Sequence, residues 1–177
     1  LIAIEKKSDI PRKYRGTPAG LLLEYQNLAR QFERYTQAQI LVGMCMDNRK
    51  HLRIPENFAY ILRTGGANLR YSEFKVSYAI SVGGVRCIAL LGHDQCGMVN
   101  LTSRKEQFIT GLVEGAGWTR ERAEEHFMNL APMHEIDNEI EFTFSEAQRL
   151  KRKYPKIMVA PLFYKLREDR LYCIDRV

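Results

Sequence analysis

Two short clusters in this sequence carry residue types that can do chemistry together. Cys45, Asp47 and Arg49 form a C-x-D-x-R cluster, and His93 and Cys96 form an H-x-x-C cluster that begins 48 residues after Cys45. Two thiolates and one imidazole are ligands that suit Zn²⁺, and three protein ligands leave a fourth tetrahedral position open. A zinc ion needs that open position if it is to hold a reactive water and not merely staple a fold. Asp47 and Arg49 stand beside one of the ligands, where an acid and a base can orient what the ion holds.

These side chains have to be carried to one place. Residues 39–45 (QILVGMC) read as a buried strand ending on Cys45, and residues 85–91 (VRCIALL) read as a strand running into His93. In open parallel sheets, ligand sites collect beyond the carboxyl ends of the strands, where strand order reverses. If these two strands are neighbours, both clusters meet at one sheet edge, with Gly97 helping to close the turn that returns Cys96. Between them, 58–62 reads as a strand closed by Gly65 and Gly66. Residues 71–82 read as a helix with Phe74, Tyr78 and Val82 along one side, ended by Gly83 and Gly84. Upstream, Thr17 caps and Pro18 opens a helix whose apolar stripe runs from Leu21 through Tyr25 and Leu28 to Phe32 and Tyr35. Residues 101–154 are mainly helical in pattern, with pieces near 119–130 and 135–154. A strand over 157–164 and a hairpin partner over 170–174 follow. Strands alternating with helices predict an α/β fold with a largely parallel sheet.

At 177 residues the chain is expected to form one domain, residues 17–177, preceded by a polar, basic arm over residues 1–16. Hydrophobic residues make up 45% of it, which argues against disorder, and no apolar run reaches membrane-spanning length. The sequence begins at Leu1 without a signal-type pattern; we expect a cytoplasmic protein whose natural chain starts further upstream. The four cysteines show no disulfide spacing, and Cys87 and Cys173 read as small buried hydrophobes. Net charge is +6, with one dense basic run at Arg149, Lys151, Arg152 and Lys153. That run reads as a helix end whose cations complement the helix dipole. No nucleic-acid-binding pattern accompanies it, so no nucleic-acid or membrane partner is expected. His51, His126 and His134 receive no role.

The order Cys45-Met-Asp47-Asn-Arg49 followed by Gly92-His93-Asp-Gln-Cys96-Gly97 resembles the β-class carbonic anhydrases. FAYILRTGGAN (58–68) is similar to that family's strand and Arg-Asn-Ala-Gly-type turn, and SYAISVGGVRCIALLGHDQCG (77–97) to its helix, strand and ligand unit. The likeness covers residues 40–97, with a weaker echo over 135–174. It implies a four-stranded, mainly parallel core sheet flanked by helices, an N-terminal helix packing on a partner subunit, and a homodimer or higher homo-oligomer. The stripe from Leu21 to Tyr35 suits that helix, and equally an ordinary core-facing one.

The resemblance further implies Zn²⁺ held by Cys45, His93 and Cys96, and reversible hydration of CO₂ to bicarbonate by a zinc-bound hydroxide. Asp47 would accept a hydrogen bond from that hydroxide, and Arg49 would keep Asp47 ionised and aimed. In the family's closed state the aspartate becomes the fourth ligand. Gly66 and Gly97 would let backbone approach the substrate pocket. Thr64 and Gly65 depart from the family's Asn-Ala, Pro161 stands where many relatives carry glycine, and the 103–134 segment is long enough to be a lid, an interface or decoration. Two other functions stay open: hydrolysis of carbonyl sulfide or carbon disulfide on the same zinc site, and a non-catalytic zinc-binding homologue. The Asp47–Arg49 pair argues against the latter, because a structural zinc site has no need of it.

Overall fold

A computed structural model describes residues 1–175. Strand β1 (Ile40–Cys45) and strand β3 (Cys87–His93) are buried along their whole length. Continuous apolar runs of this kind are what strands covered on both faces require. With β2 (Ala59–Thr64), β4 (Met158–Lys165) and β5 (Arg170–Cys173) they form one sheet in the order β2-β1-β3-β4-β5. The first four strands are parallel, and β5 pairs antiparallel with β4 as the expected hairpin.

Both faces of the sheet are covered. On one side Val42, Ala89 and Tyr164 pack with Ile4, Tyr14 and Leu22 from the N-terminal region. On the other, Leu41, Ile88 and Leu90 pack with Val76 of helix α2 (Glu73–Ser81) and Leu150 of helix α5 (Glu139–Lys153). Helices α3 (Lys105–Ala116) and α4 (Arg120–His134) pack on each other. Thr119 and Asn138 cap α4 and α5, their side-chain oxygens accepting from the first-turn amides.

Two expectations change. Residues 1–16 are not a loose arm: Ile4, Ile10 and Tyr14 are buried, and Ile2 bridges to Cys173 in both directions at 2.9 and 3.0 Å. The apolar residues scattered among the charges of this segment cover the open side of β5. Helix α1 (Pro18–Asn27) starts at its expected cap, where Thr17 Oγ1 accepts from Gly20 N, but stops well before Tyr35. Asn27 spends its side-chain amide on Ile4 O, Leu171 O and Leu171 N, stitching the helix end to β5, and Ala29 then turns left-handed at φ 51°. Tyr35 still packs against the core, edge-on to Phe58, while Phe32 is more than half exposed and meets Tyr25 edge-on. Within the apolar stripe, Leu22 and Tyr25 are fully buried by this chain itself, Leu21 and Leu28 are partly buried, and Phe32 is exposed.

The basic run ends α5 as expected: Lys151 donates to Pro155 O and Ile157 O, while Arg149 and Lys153 both pair with Glu73. The middle of α5 survives Phe142-Thr143-Phe144 because Thr143 is wholly buried and returns its hydroxyl to Glu139 O at 2.6 Å. That turn lies against Gly92, where an added Cβ would stand 2.1 Å from Thr143 Oγ1 and 3.1 Å from Glu139 O. Glycine at this position is what allows α5 to lie on β3 directly before His93. Gly92→Ala is expected to cost about 1–3 kcal/mol in urea unfolding, and Thr143→Ala in the same chain is expected to return part of that loss.

Candidate metal centre

Strands β1 and β3 run side by side in register from Leu41 opposite Ile88 to Met44 opposite Leu91. The chain leaves β1 for β2 on one side and comes back as β3 on the other. The gap between the carboxyl ends of β1 and β3 is therefore the point where strand order reverses. Cys45 ends one of these strands and His93 ends the other. Asp94 then anchors the following loop by accepting from Leu166 N at 2.8 Å. The turn that returns Cys96 is made by Gln95, left-handed at φ 55°, and not by Gly97, whose φ is ordinary and whose Cβ position is open. Gly97 is thus not required there by any close approach.

One ligand atom each from Cys45, His93 and Cys96 lie within 4.8 Å of one another, and all three residues are buried. The two sulfurs are 3.9 Å apart, far beyond the roughly 2.05 Å of a disulfide, and all four cysteines are free. His93 Nδ1 stands 2.8 Å from the Asp94 carbonyl oxygen. A carbonyl oxygen only accepts, so Nδ1 carries the proton and Nε2 carries the lone pair. That Nε2 is buried and meets no hydrogen-bond partner. A buried lone pair without a partner is costly, and a cation shared with the two sulfurs satisfies it. The sulfurs make the same case. The Cys96 thiol hydrogen-bonds to Cys45 and holds Cys45 well below the usual thiol range, while that neighbouring charge and burial push Cys96 up. A soft divalent cation replaces the shared proton and accepts both as thiolates. The donor set fits zinc. Cys87 and Cys173 lie apart from the cluster, their thiols raised to about 12 by burial.

Asp47 and Arg49 form a forked pair: Arg49 Nε lies 3.0 and 3.1 Å from the two carboxylate oxygens and Nη2 lies 2.6 Å from Oδ2. The Arg49 backbone amide adds a bond of 2.9 Å. These hydrogen bonds hold the Asp47 carboxyl far below the usual carboxylate range. Arg49 Nη2 also donates to Gln95 O at 3.0 Å, so one guanidinium ties the loop after β1 to the loop after β3. Half of the Arg49 side chain is exposed. A pair this wet adds little to folding stability, and its geometry matters more than its strength.

Gly66, left-handed at φ 60°, hydrogen-bonds through its backbone toward Cys45 and favours the thiolate. A Cβ there would press on Ile136 and Met98 at 3.3 and 3.4 Å. Several residues at the site were not found by sequence reasoning. Arg63 of β2 donates to Cys45 O and Asp47 O at 3.3 and 3.2 Å, Glu139 accepts from Cys96 N at 3.2 Å, and the ammonium of wholly buried Lys50 donates to Asp47 O at 3.3 Å. Arg63 and Glu139 arrive from elements distant in sequence, and a lysine beside two charged residues reads as solvated. Thr64, opposite Cys45 in the β1–β2 register, carries a buried hydroxyl oxygen that, like His93 Nε2, has no partner. His51, His126 and His134 stand outside the cluster, against Tyr164, Trp118 and Tyr71 respectively. The 103–134 segment, with α3 and α4, walls a cavity of about 300 Å³ lined by Met46, Gly65, Met98, Phe108, Phe127 and His134. Met98 also packs on the two ligand cysteines, so this apolar space borders the metal cluster.

No family model matches the sequence, and neither does any curated protein. Solved structures do. A carbonic anhydrase from Glaciozyma antarctica superposes with a TM-score of 0.64 at 21% identity, over 80% of this chain and 85% of that one. β-Carbonic anhydrase isoform I of Trichomonas vaginalis gives 0.65 at 15% identity, over 83% and 88%. The chain has the β-carbonic anhydrase fold. An apo form of carbon disulfide hydrolase is also similar, with a TM-score of 0.58 at 17% identity over 80% of each chain.

Within the β-carbonic anhydrase fold the Cys45, His93 and Cys96 cluster predicts one bound zinc per chain, measured by elemental analysis after dialysis. Cys45→Ser, His93→Ala and Cys96→Ser are each expected to lose most of that metal, and Cys173→Ala is expected to keep it.

Proposed function

We propose that this protein is a zinc lyase catalysing the reversible hydration of CO₂ to bicarbonate. The observation that carries the proposal is the partnerless His93 Nε2 facing two cysteine sulfurs at the strand-order reversal, with a forked Asp47–Arg49 pair beside it. Cys45, His93 and Cys96 are the three protein ligands, and their number leaves a fourth position open. Bound zinc supplies Lewis acidity that lets a water molecule ionise near neutral pH.

The chain's own residues then have defined work. Ionised Asp47 is an acceptor only, so it takes the O–H of the attacking nucleophile and leaves a lone pair directed at carbon. Arg49 keeps Asp47 ionised and fixes its direction through both carboxylate oxygens, a planar fork that lysine does not reproduce. The Gln95 carbonyl holds Arg49 in turn. The Asp94 carbonyl fixes the His93 tautomer. The apolar space beside Met98 suits a neutral, linear substrate.

A second reading keeps the site and changes the substrate to carbonyl sulfide or carbon disulfide. The similar carbon disulfide hydrolase structure supports it, and both molecules are linear and apolar like CO₂. Stopped-flow CO₂ hydration and a sulfide-release assay on the same zinc-loaded sample separate the two. Hydration with no sulfide release supports the lyase, and the reverse supports the hydrolase.

A homo-oligomer and a cytoplasmic setting complete the proposal. Strand β2 is an open sheet edge, and beside it Tyr60, Ile61, Phe74, Tyr78 and Val82 are exposed, Phe74 by 82%. Apolar side chains grouped on an unpaired edge mark a contact surface. All four cysteines are free thiols, and no helix among the described residues is long and apolar enough to cross a membrane.

Asp47→Ala is expected to keep its zinc and lose activity by on the order of a hundredfold or more, with Arg49→Lys intermediate; wild-type turnover by metal-loaded Asp47→Ala would contradict the mechanism. Phe74→Glu combined with Tyr78→Glu is expected to shift the mass by light scattering toward the monomer without lowering metal content.

A further inference from the structure

Lys50 is wholly buried, the only cation so placed among the described residues. An ammonium has three N–H groups to satisfy. Here it donates to the Asp47 backbone oxygen at 3.3 Å, while the Asp47 carboxylate is taken by Arg49. Its acceptor belongs to Asp47, two residues beyond Cys45, and Arg63 donates to that same oxygen and to Cys45 O, so Lys50 is bound to the loop that leaves the cluster. Burial disfavours its charged form, and a buried ammonium is expensive unless something compensates it. A methionine would fill the same space without that cost. The acceptor Lys50 has is a backbone oxygen and not a carboxylate, so an anion at the neighbouring cluster would supply the missing compensation.

We propose that Lys50 is a positioning residue of the metal centre, a fixed buried cation that favours an anion over a neutral molecule at the open coordination position. The inference rests on the metal reading and deepens it. Two thiolates balance a divalent ion, and Asp47 balances Arg49. Asp94 and Glu139 are partly exposed and spend oxygens on the Leu166 and Cys96 amides, and Arg63 is exposed. Lys50 is the charge of this group that water screens least. Its attraction for an anion at the cluster is therefore strong, and its repulsion of the divalent ion is strong for the same reason. In the proposed reaction that anion is the product, bicarbonate, so Lys50 tightens product binding.

The two effects have opposite signs, which separates this role from a structural one. Removing Lys50 weakens anion binding and does not weaken metal binding. Loss of a lysine that merely held the loop would loosen both. The test loads wild type and Lys50→Met with Co²⁺ and follows the visible spectrum during azide titration. The azide dissociation constant is expected to rise on the order of tenfold to a hundredfold. Cobalt affinity against a competing chelator is expected to be unchanged or higher, and the melting temperature no lower. Unchanged azide affinity in the cobalt-loaded variant overturns the proposal, and so does a parallel fall in cobalt and azide affinity. Should Lys50→Met fail to fold, zinc-loaded wild type with ¹³C-labelled lysine decides the matter: azide shifts the Lys50 Cε resonance, and an unmoved resonance overturns the proposal. Wild type that binds no metal at all sinks the metal reading itself, whereas metal-loaded wild type isolates the question of Lys50.

Discussion

The structure turns on one buried imidazole. His93 gives its Nδ1 proton to the Asp94 carbonyl, and this single bond leaves a lone pair on Nε2 with no partner in a place water does not reach. Proteins rarely leave such a group unpaired, because desolvation is not returned by any bond. Two cysteine sulfurs 3.9 Å apart stand on the same spot, sharing what only one of them can keep. A soft divalent cation resolves both frustrations together. The chemistry we assign follows from that coincidence of unmet demands more than from the overall shape.

The rest of the fold holds the coincidence in place. Parallel pairing of β1 with β3 brings Cys45 and His93, 48 positions apart in the chain, to one sheet edge. The close approach of α5 at Gly92 fixes the strand immediately before His93. Arg49 laces the loops after β1 and β3 together through Asp47 and Gln95, so the Asp47 carboxylate is held beside the cluster. Both faces of the sheet are packed, which gives these polar groups a rigid, dry floor. In the mechanism we propose, groups positioned by such a floor pay little reorganisation when charge develops.

Much of this was legible in the sequence, for identifiable reasons. The strands that end on Cys45 and His93 are unbroken apolar runs, so periodicity placed both clusters at strand ends, where the structure brings Cys45, His93 and Cys96 together. Thr17 announced its helix because capping is a local interaction. What escaped depended on long-range contacts. The N-terminal segment looks polar, yet Ile4, Ile10 and Tyr14 find the side of β5. Helix α1 stops at Asn27 because that side chain bonds to a strand more than a hundred residues away. The turn before Cys96 is carried by Gln95, where glycine would have been the expected choice. Lys50 and Arg63 carry no sequence signal of their own, and only the tertiary structure shows one of them buried and the other bonded to the Cys45 and Asp47 carbonyls.

X-ray absorption at the zinc edge tests the central claim most directly. The account predicts two sulfur scatterers near 2.3 Å, one imidazole nitrogen near 2.0–2.1 Å and one light-atom ligand completing four-coordination. A spectrum with four sulfurs, with no sulfur, or with no imidazole signature would contradict it.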